Sequence, residues 1–165
     1  MTRYRAGAIG RTGRGDWGPG LDVAFVGLPD VELVAVADDD PEGLKAAAAR
    51  TGATVSYDDY HEMLAHPDID AVAVVLRVPT HYQITKDALN AGKHVFTEWP
   101  LGKDTSEAKE LADLARAVWD RTVHGDKFPH PMVAQTECAL ARGVARARQF
   151  LAGGLGKQGV HHTVN

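Results

Sequence analysis

The sequence predicts an α/β fold, a doubly wound parallel sheet. Three observations carry that prediction. Short apolar runs alternate with segments of helical periodicity from the start of the chain, a glycine-rich loop follows the first run, and the run Ile69 to Leu76 is apolar almost without a break. A strand that reads apolar on both faces belongs inside a sheet covered by helices on either side. With 165 residues, the chain is long enough to bury one real core.

The first strand is expected over Arg5 to Ile9, breaking at a glycine-rich loop. Leu21, Ala24, Phe25 and Leu28 recur at helical spacing and predict a first helix ended by Pro29-Asp30. Val31 to Ala37 reads as the second strand. Asp40-Pro41 supplies a capping carboxylate and a first-turn proline for the next helix, whose buried side includes Leu44, Ala47 and Ala48 and which Gly52 closes. A brief strand near Val55 precedes a short helix carrying Tyr60, Met63 and Leu64 on one face. After the apolar fourth strand, Thr80 is expected to cap a helix with the buried stripe Ile84, Ala88 and Leu89. Ala91-Gly92 then leads into a strand through His94 to Thr97, stopped at Glu98-Trp99-Pro100. Asp104 and Glu107 fit an acidic first turn for a helix packed through Leu111, Leu114, Ala115 and Val118. Arg121 to His124 is the expected sixth strand, completing two βαβαβ halves over residues 1–125. Residues 126–165 read as a linker, an amphipathic helix marked by Leu140, Val144, Ala147 and Leu151, and a strand from Val160 to Val164.

Composition narrows the function classes. The formal charge of −4 is spread without a long run of one sign, which gives no support for a nucleic-acid surface. Cys138 is alone, so no internal disulfide can form. The N-terminal residues show no cleavage signal, and no apolar stretch approaches membrane-spanning length, so the expectation is a soluble, cytoplasmic protein. The eight histidines show no ligand spacing; His161 and His162 would point to opposite faces of a strand, and no metal site is expected.

The loop Gly10-Arg11-Thr12-Gly13-Arg14-Gly15 stands between the first strand and the first helix, where a dinucleotide fold presents backbone N–H groups to a pyrophosphate. Gly10, Thr12, Gly13, Arg14 and Gly15 are the candidate contacts. Thr12 occupies the second glycine of the Gly-x-Gly-x-x-Gly pattern, and its hydroxyl can donate to a phosphate oxygen. Taken alone such a loop is a weak signal, since glycine-rich turns often only let a strand enter a helix. Asp38 strengthens it. At the end of the second strand, its carboxylate can accept both adenosine ribose hydroxyls, while Asp39 and Asp40 repel a 2′-phosphate and favour NAD over NADP. The bland account of this cluster, a helix cap and a solvated turn, suits Asp40. The fourth strand ends beside Pro79-Thr80-His81, at the edge over which a ligand should pass, and His81 is either a nicotinamide-side contact or a partly exposed polar residue.

The strand ending Val34-Ala35-Val36-Ala37-Asp38, the stretch Pro67-Asp68-Ile69-Asp70-Ala71-Val72, the turn Pro79-Thr80-His81 and the segment Ala88 to Val95 occur in one order. Together with Glu98-Trp99-Pro100 they resemble the landmarks of the glucose-fructose oxidoreductase, inositol dehydrogenase and MocA family. The resemblance implies a Rossmann domain with the glycine loop at the pyrophosphate, Asp38 at the ribose, and Pro79, His81 and Glu98 on the nicotinamide side, where Trp99 is a further candidate contact. It implies NAD(P)-dependent oxidation of a sugar or polyol CH–OH group.

Two departures accompany it. The family's dehydrogenases place a lysine before the proline to orient substrate and assist proton transfer, and here Trp99 holds that place. Trp99 offers an N–H donor and a flat apolar surface, and its bland account is a packing residue at the strand end. The Glu-Trp-Pro version resembles a branch related to a galactose-pathway transcriptional repressor, which opens a second reading as a non-catalytic dinucleotide sensor or protein-binding module. The second departure is length: the family's further α/β domain, which forms the substrate wall, is expected to be essentially missing. Cofactor binding with weak turnover is therefore the first expectation, with catalytic residues unassigned. A third reading is a structural remnant whose exposed edge strand pairs with another copy.

Overall fold

The structure is a computed structural model that describes residues 4–12, 22–23, 25–98, 100–122 and 133–136; for residues 98, 119–122 and 133–136 it describes the backbone. In chain order the elements are β1 (Tyr4–Ile9), β2 (Val31–Ala37), α1 (Pro41–Thr51), β3 (Val55–Tyr57), α2 (Tyr60–Ala65), β4 (Ala71–Val74), α3 (Val78–Asn90), β5 (His94–Glu98), α4 (Thr105–Thr122) and β6 (Val133–Thr136). Every strand pair among them is parallel. The order across the sheet is β3-β2-β1-β4-β5-β6, which is the doubly wound order with its reversal between β1 and β4.

Side-chain alternation along the strands builds a core on each face of the sheet. Val72 and Val74 of β4 and Val95 of β5 join Met63, Leu64, Ile84, Leu89 and Leu111 from the helices on one side. Ala73, Val75 and Phe96 join Phe25, Leu28 and Ala47 on the other. There Phe25 meets Phe96 edge to face, with centroids 6.0 Å apart. Gly7 of β1 is where a helix comes close, since a Cβ there would lie 2.7 Å from the Met63 sulfur.

The helix ends follow their sequence signals where capping chemistry is strong. Asp40 caps α1 by accepting from the Gly43 N–H at 2.6 Å, and Gly52 ends it at φ 75° with its N–H on the Ala48 carbonyl. Asp104 accepts from the Ser106 and Glu107 N–H groups at the start of α4. Lys103 holds Glu107 through its backbone N–H and its ammonium, and those contacts lower the Glu107 pKa.

Three expectations need correction. Helix α3 starts at Val78 with Arg77 as its N-cap, not at Thr80, because Pro79 lacks an N–H and has its φ preset, which suits the first turn; the Thr80 hydroxyl instead donates back to the Arg77 carbonyl. Where a first helix was expected, Asp22, Val23 and Phe25 to Gly27 form turns closed by bonds from Val26 to Val23 and from Leu28 to Phe25. Gly27 at φ 79° and Pro29 beyond it end the helical path, yet Phe25 and Leu28 still bury. Leu21 and Ala24 lie outside the described residues. The sixth strand is not Arg121 to His124: α4 runs on to Thr122, and β6 forms at Val133–Thr136, past residue 125 where the linker was expected to begin. An amphipathic helix with no stop signal before Thr122 simply continues. The helix expected after Ala139 and the strand Val160 to Val164 lie outside the described residues.

Candidate functional site

The reversal of strand order places the C-terminal ends of β1, β2 and β4 side by side. The Gly10 N–H donates to the Ala37 carbonyl, the Val75 N–H to the Ile9 carbonyl, and the Asp38 N–H to the Tyr57 carbonyl, so the loop after β1 and the turn after β2 leave the sheet together. Asp38 sits between them and is 2 % exposed. Its carboxylate accepts from the Thr12 hydroxyl at 2.6 Å, from the Thr12 N–H at 3.0 Å and from the Asp40 N–H at 3.0 Å. A buried carboxylate so arranged is held rigidly at the end of β2.

Arg11 pairs with Asp39 at 2.5 Å, tying the glycine loop to the acidic turn. Asp40, next in the same turn, is engaged as the cap of α1.

Pro79 is exposed in the first turn of α3, at the edge beside the switch point. His81, two residues on, is fully buried at 0 % exposure, which removes the partly exposed reading. Burial lowers its pKa and keeps the ring neutral at pH 7. The backbone at Leu76, Pro100 and Leu101 opposes that shift, but neither ring nitrogen meets a partner in hydrogen-bonding geometry, and burial prevails. The hydroxyls of Thr85 on α3 and Thr97 on β5 are likewise buried without a partner among the described residues. Glu98 is the last residue of β5, in register with Thr136 of β6. Gly13, Arg14, Gly15 and Trp99 lie outside the described residues.

Lys93, inside the Ala88 to Val95 landmark, has a structural post that the sequence did not announce. It is 7 % exposed, and its ammonium donates to the His66 carbonyl at 2.7 Å and the Ile69 carbonyl at 2.8 Å. It ties the turn after α2 to the start of β5, at the end of the sheet opposite Asp38. Burial lowers its pKa, partly offset by Asp70. Among the described residues no three His, Cys, Asp or Glu side chains gather as a metal site, and no helix is long and apolar enough to cross a membrane.

Comparison with known proteins decides the family. The model of the oxidoreductase family with an NAD-binding Rossmann fold, GFO_IDH_MocA, matches residues 7–125. The chain belongs to this family. It is 40% identical over 93 residues to dTDP-3,4-didehydro-2,6-dideoxy-alpha-D-glucose 3-reductase of Streptomyces violaceoruber, covering 56% of this chain and 27% of that protein. It is 33% identical over 95 residues to inositol 2-dehydrogenase/D-chiro-inositol 3-dehydrogenase of Lactiplantibacillus plantarum, covering 57% of this chain and 27% of that one. Among solved structures, scyllo-inositol dehydrogenase from Lactobacillus casei with bound NAD(H) and scyllo-inositol superposes with a TM-score of 0.61 at 29% identity, over 72% of this chain and 34% of that one. A 3-ketoreductase from Actinomadura kijaniata in complex with TDP-benzene and NADP gives 0.61 at 31% identity, over 70% and 36%. The chain thus spans about a quarter of the length of these curated relatives (27% and 27%).

Proposed function

We propose that this chain is the dinucleotide-binding part of an oxidoreductase that acts on a sugar or polyol CH–OH group, with NAD as the favoured cofactor. The observation that carries this reading is Asp38, a buried carboxylate at the end of β2, braced by the loop after β1 where the strand order reverses. Its donor set fits a ribose: it is acceptor-only, rigid and anionic, which suits a diol and disfavours a 2′-phosphate. Gly10, Gly13, Arg14 and Gly15 would hold the pyrophosphate, Thr12 braces the Asp38 carboxylate, and Pro79, Glu98 and Trp99 would border the nicotinamide. His81 lies buried within the first turn of α3. When bound, the nicotinamide supplies a hydride acceptor or donor, and the chain's own residues orient it.

The organisation we propose is a dinucleotide-binding domain over residues 1–125, followed in 126–165 by a linker, helix and strand, with β6 of that segment joining the sheet. Turnover by this chain is weak in this reading, because an indole at Trp99 cannot do the proton-transfer work of an ammonium. Titration followed by tryptophan fluorescence tests the cofactor claim. Saturable quenching by NADH, with NADPH weaker by tenfold or more, is the expected result; equal affinities would defeat the NAD preference, and no saturation at millimolar NADH would defeat binding.

Trp99 also favours a second reading, a non-catalytic dinucleotide sensor. Trp99→Lys separates the two. Sugar- or polyol-dependent NADH formation gained by the variant supports a lapsed enzyme, and unchanged inactivity with intact NADH binding supports a sensor.

A further inference from the structure

We infer that the Thr12 hydroxyl is a built-in stand-in for a ribose hydroxyl: it occupies the Asp38 carboxylate in the unliganded chain, leaves when an adenosine ribose binds there, and so sets the affinity for dinucleotide. This rests on the dinucleotide reading above and names the residue that tunes it.

Acceptor capacity supplies the argument. Oδ2 of Asp38 accepts from the Thr12 hydroxyl at 2.6 Å and from the Thr12 N–H at 3.0 Å, and Oδ1 accepts from the Asp40 N–H at 3.0 Å with the Thr12 N–H a further 3.2 Å away. A carboxylate oxygen offers about two lone-pair directions, so Oδ2 is filled. A vicinal diol needs one acceptor site on each oxygen. With Asp38 only 2 % exposed, one of the donors in place must give way.

The donors differ in how easily they can leave. Among the donors of the described residues, the two amides are fixed by the loop after β1 and the turn before α1, whereas the hydroxyl leaves by rotation about one side-chain bond. The exchange replaces one O–H donor with another of the same chemistry. Without the hydroxyl, the buried carboxylate of the unliganded chain would lose a 2.6 Å hydrogen bond, which costs free energy.

The hydroxyl is also seated, rather than merely close. A Cβ on Gly43 would lie 1.8 Å from the Thr12 Oγ1 and 2.9 Å from the Asp38 Oδ2, so the first turn of α1 leaves room for the hydroxyl only because residue 43 is glycine. Thr12, Asp38 and Gly43 form one niche, built from the loop after β1, the end of β2 and the start of α1. A glycine at position 12, as the Gly-x-Gly-x-x-Gly pattern has it, could not fill it.

Calorimetric titration of NADH into the 165-residue chain, with urea unfolding of each protein, tests the inference. Thr12→Ala is expected to bind NADH roughly five- to tenfold more tightly than the wild type while unfolding at lower urea, since one charge-assisted hydrogen bond no longer competes with the ligand or supports the free chain. Thr12→Ser should move both values back toward wild type. Opposite signs for affinity and stability are the signature, because a purely structural role for Thr12 lowers both or neither. Thr12→Gly serves as a second hydroxyl-free variant if Thr12→Ala does not fold. Wild-type binding with equal or weaker binding in the folded hydroxyl-free variant overturns the stand-in and leaves the dinucleotide reading intact. No saturable heat from wild type or any variant overturns both.

Discussion

Replacing Lys93 with Met tests whether the Ala88 to Val95 landmark is a structural device or part of the binding site. The ammonium donates two short bonds, at 2.7 Å to the His66 carbonyl and 2.8 Å to the Ile69 carbonyl, from a side chain that is 7 % exposed. Methionine keeps most of the stem's packing and removes both donors, taking the ammonium from the Ile69 carbonyl and leaving the His66 carbonyl with the Ile69 N–H at 3.3 Å. A hydrogen bond to a charged donor contributes about 1.5–3 kcal/mol, so the two together set a gross loss of about 3–6 kcal/mol. Against that stands the cost of burying the ammonium, visible in its lowered pKa. The net loss is about 2–3 kcal/mol. Urea unfolding at pH 7 measures it as a shift of midpoint at constant slope. NADH affinity should stay within about twofold, because Lys93 lies before β5 and Asp38 lies after β2, at opposite ends of parallel strands. A loss under about 0.5 kcal/mol, within the range of an ordinary surface change, would refute the clamp. A fall in affinity with stability preserved would place Lys93 at the ligand instead.

Three further perturbations probe other parts of the account. Burial holds the His94 pKa down from 6.5 to about 4, opposed by Asp70, so its neutral form is favoured by folding. Stability from this group is full above about pH 6.5 and is lost as pH falls toward 4, by up to about 3 kcal/mol, and His94→Leu should flatten the measured stability across that window. Arg50→Ala removes the guanidinium that meets the buried Asp22 carboxylate through its Nε at 2.6 Å. Because Arg50 is itself part exposed, the expected cost is about 2 kcal/mol, read by thermal unfolding, and it should shrink in an Asp22→Asn background. Gly43→Ala drives a methyl into the Thr12 hydroxyl and should cost about 1–3 kcal/mol, with the loss reduced but not abolished in a Thr12→Gly background, where the methyl still meets the Asp38 Oδ2 at 2.9 Å.

Much of this architecture was legible because its signals are local and strong. Asp40 and Gly52 announced the ends of α1 through capping chemistry that few other residues perform, and the unbroken apolar run at Val72 to Leu76 could only be a strand covered on both faces. The failures came where a weak periodicity met a competing constraint. Phe25 and Leu28 have helical spacing, but the same burial is reached by turns, because spacing reports which side chains face the core and not which backbone carries them. Arg121 to His124 looked like a strand on composition, and the continuing helical face of α4 outweighed it. At the site, position in the fold picked out Asp38, but no sequence pattern shows that Thr12 already holds it. That contact depends on three elements converging and on the space left by Gly43, a long-range fact. His81 could not be ranked as buried or exposed from its place in a first helical turn, since that depends on the packing of the segment after Pro100.

The central claim is that Asp38 receives the adenosine ribose of a dinucleotide at the end of β2. Equilibrium titration of NADH into wild type and Asp38→Ala, each shown folded by circular dichroism, tests it most directly. A single saturable site in the wild type, weakened by roughly tenfold or more in the variant, is the predicted result. Equal affinity in the two proteins, or no saturable binding by the wild type, would contradict it.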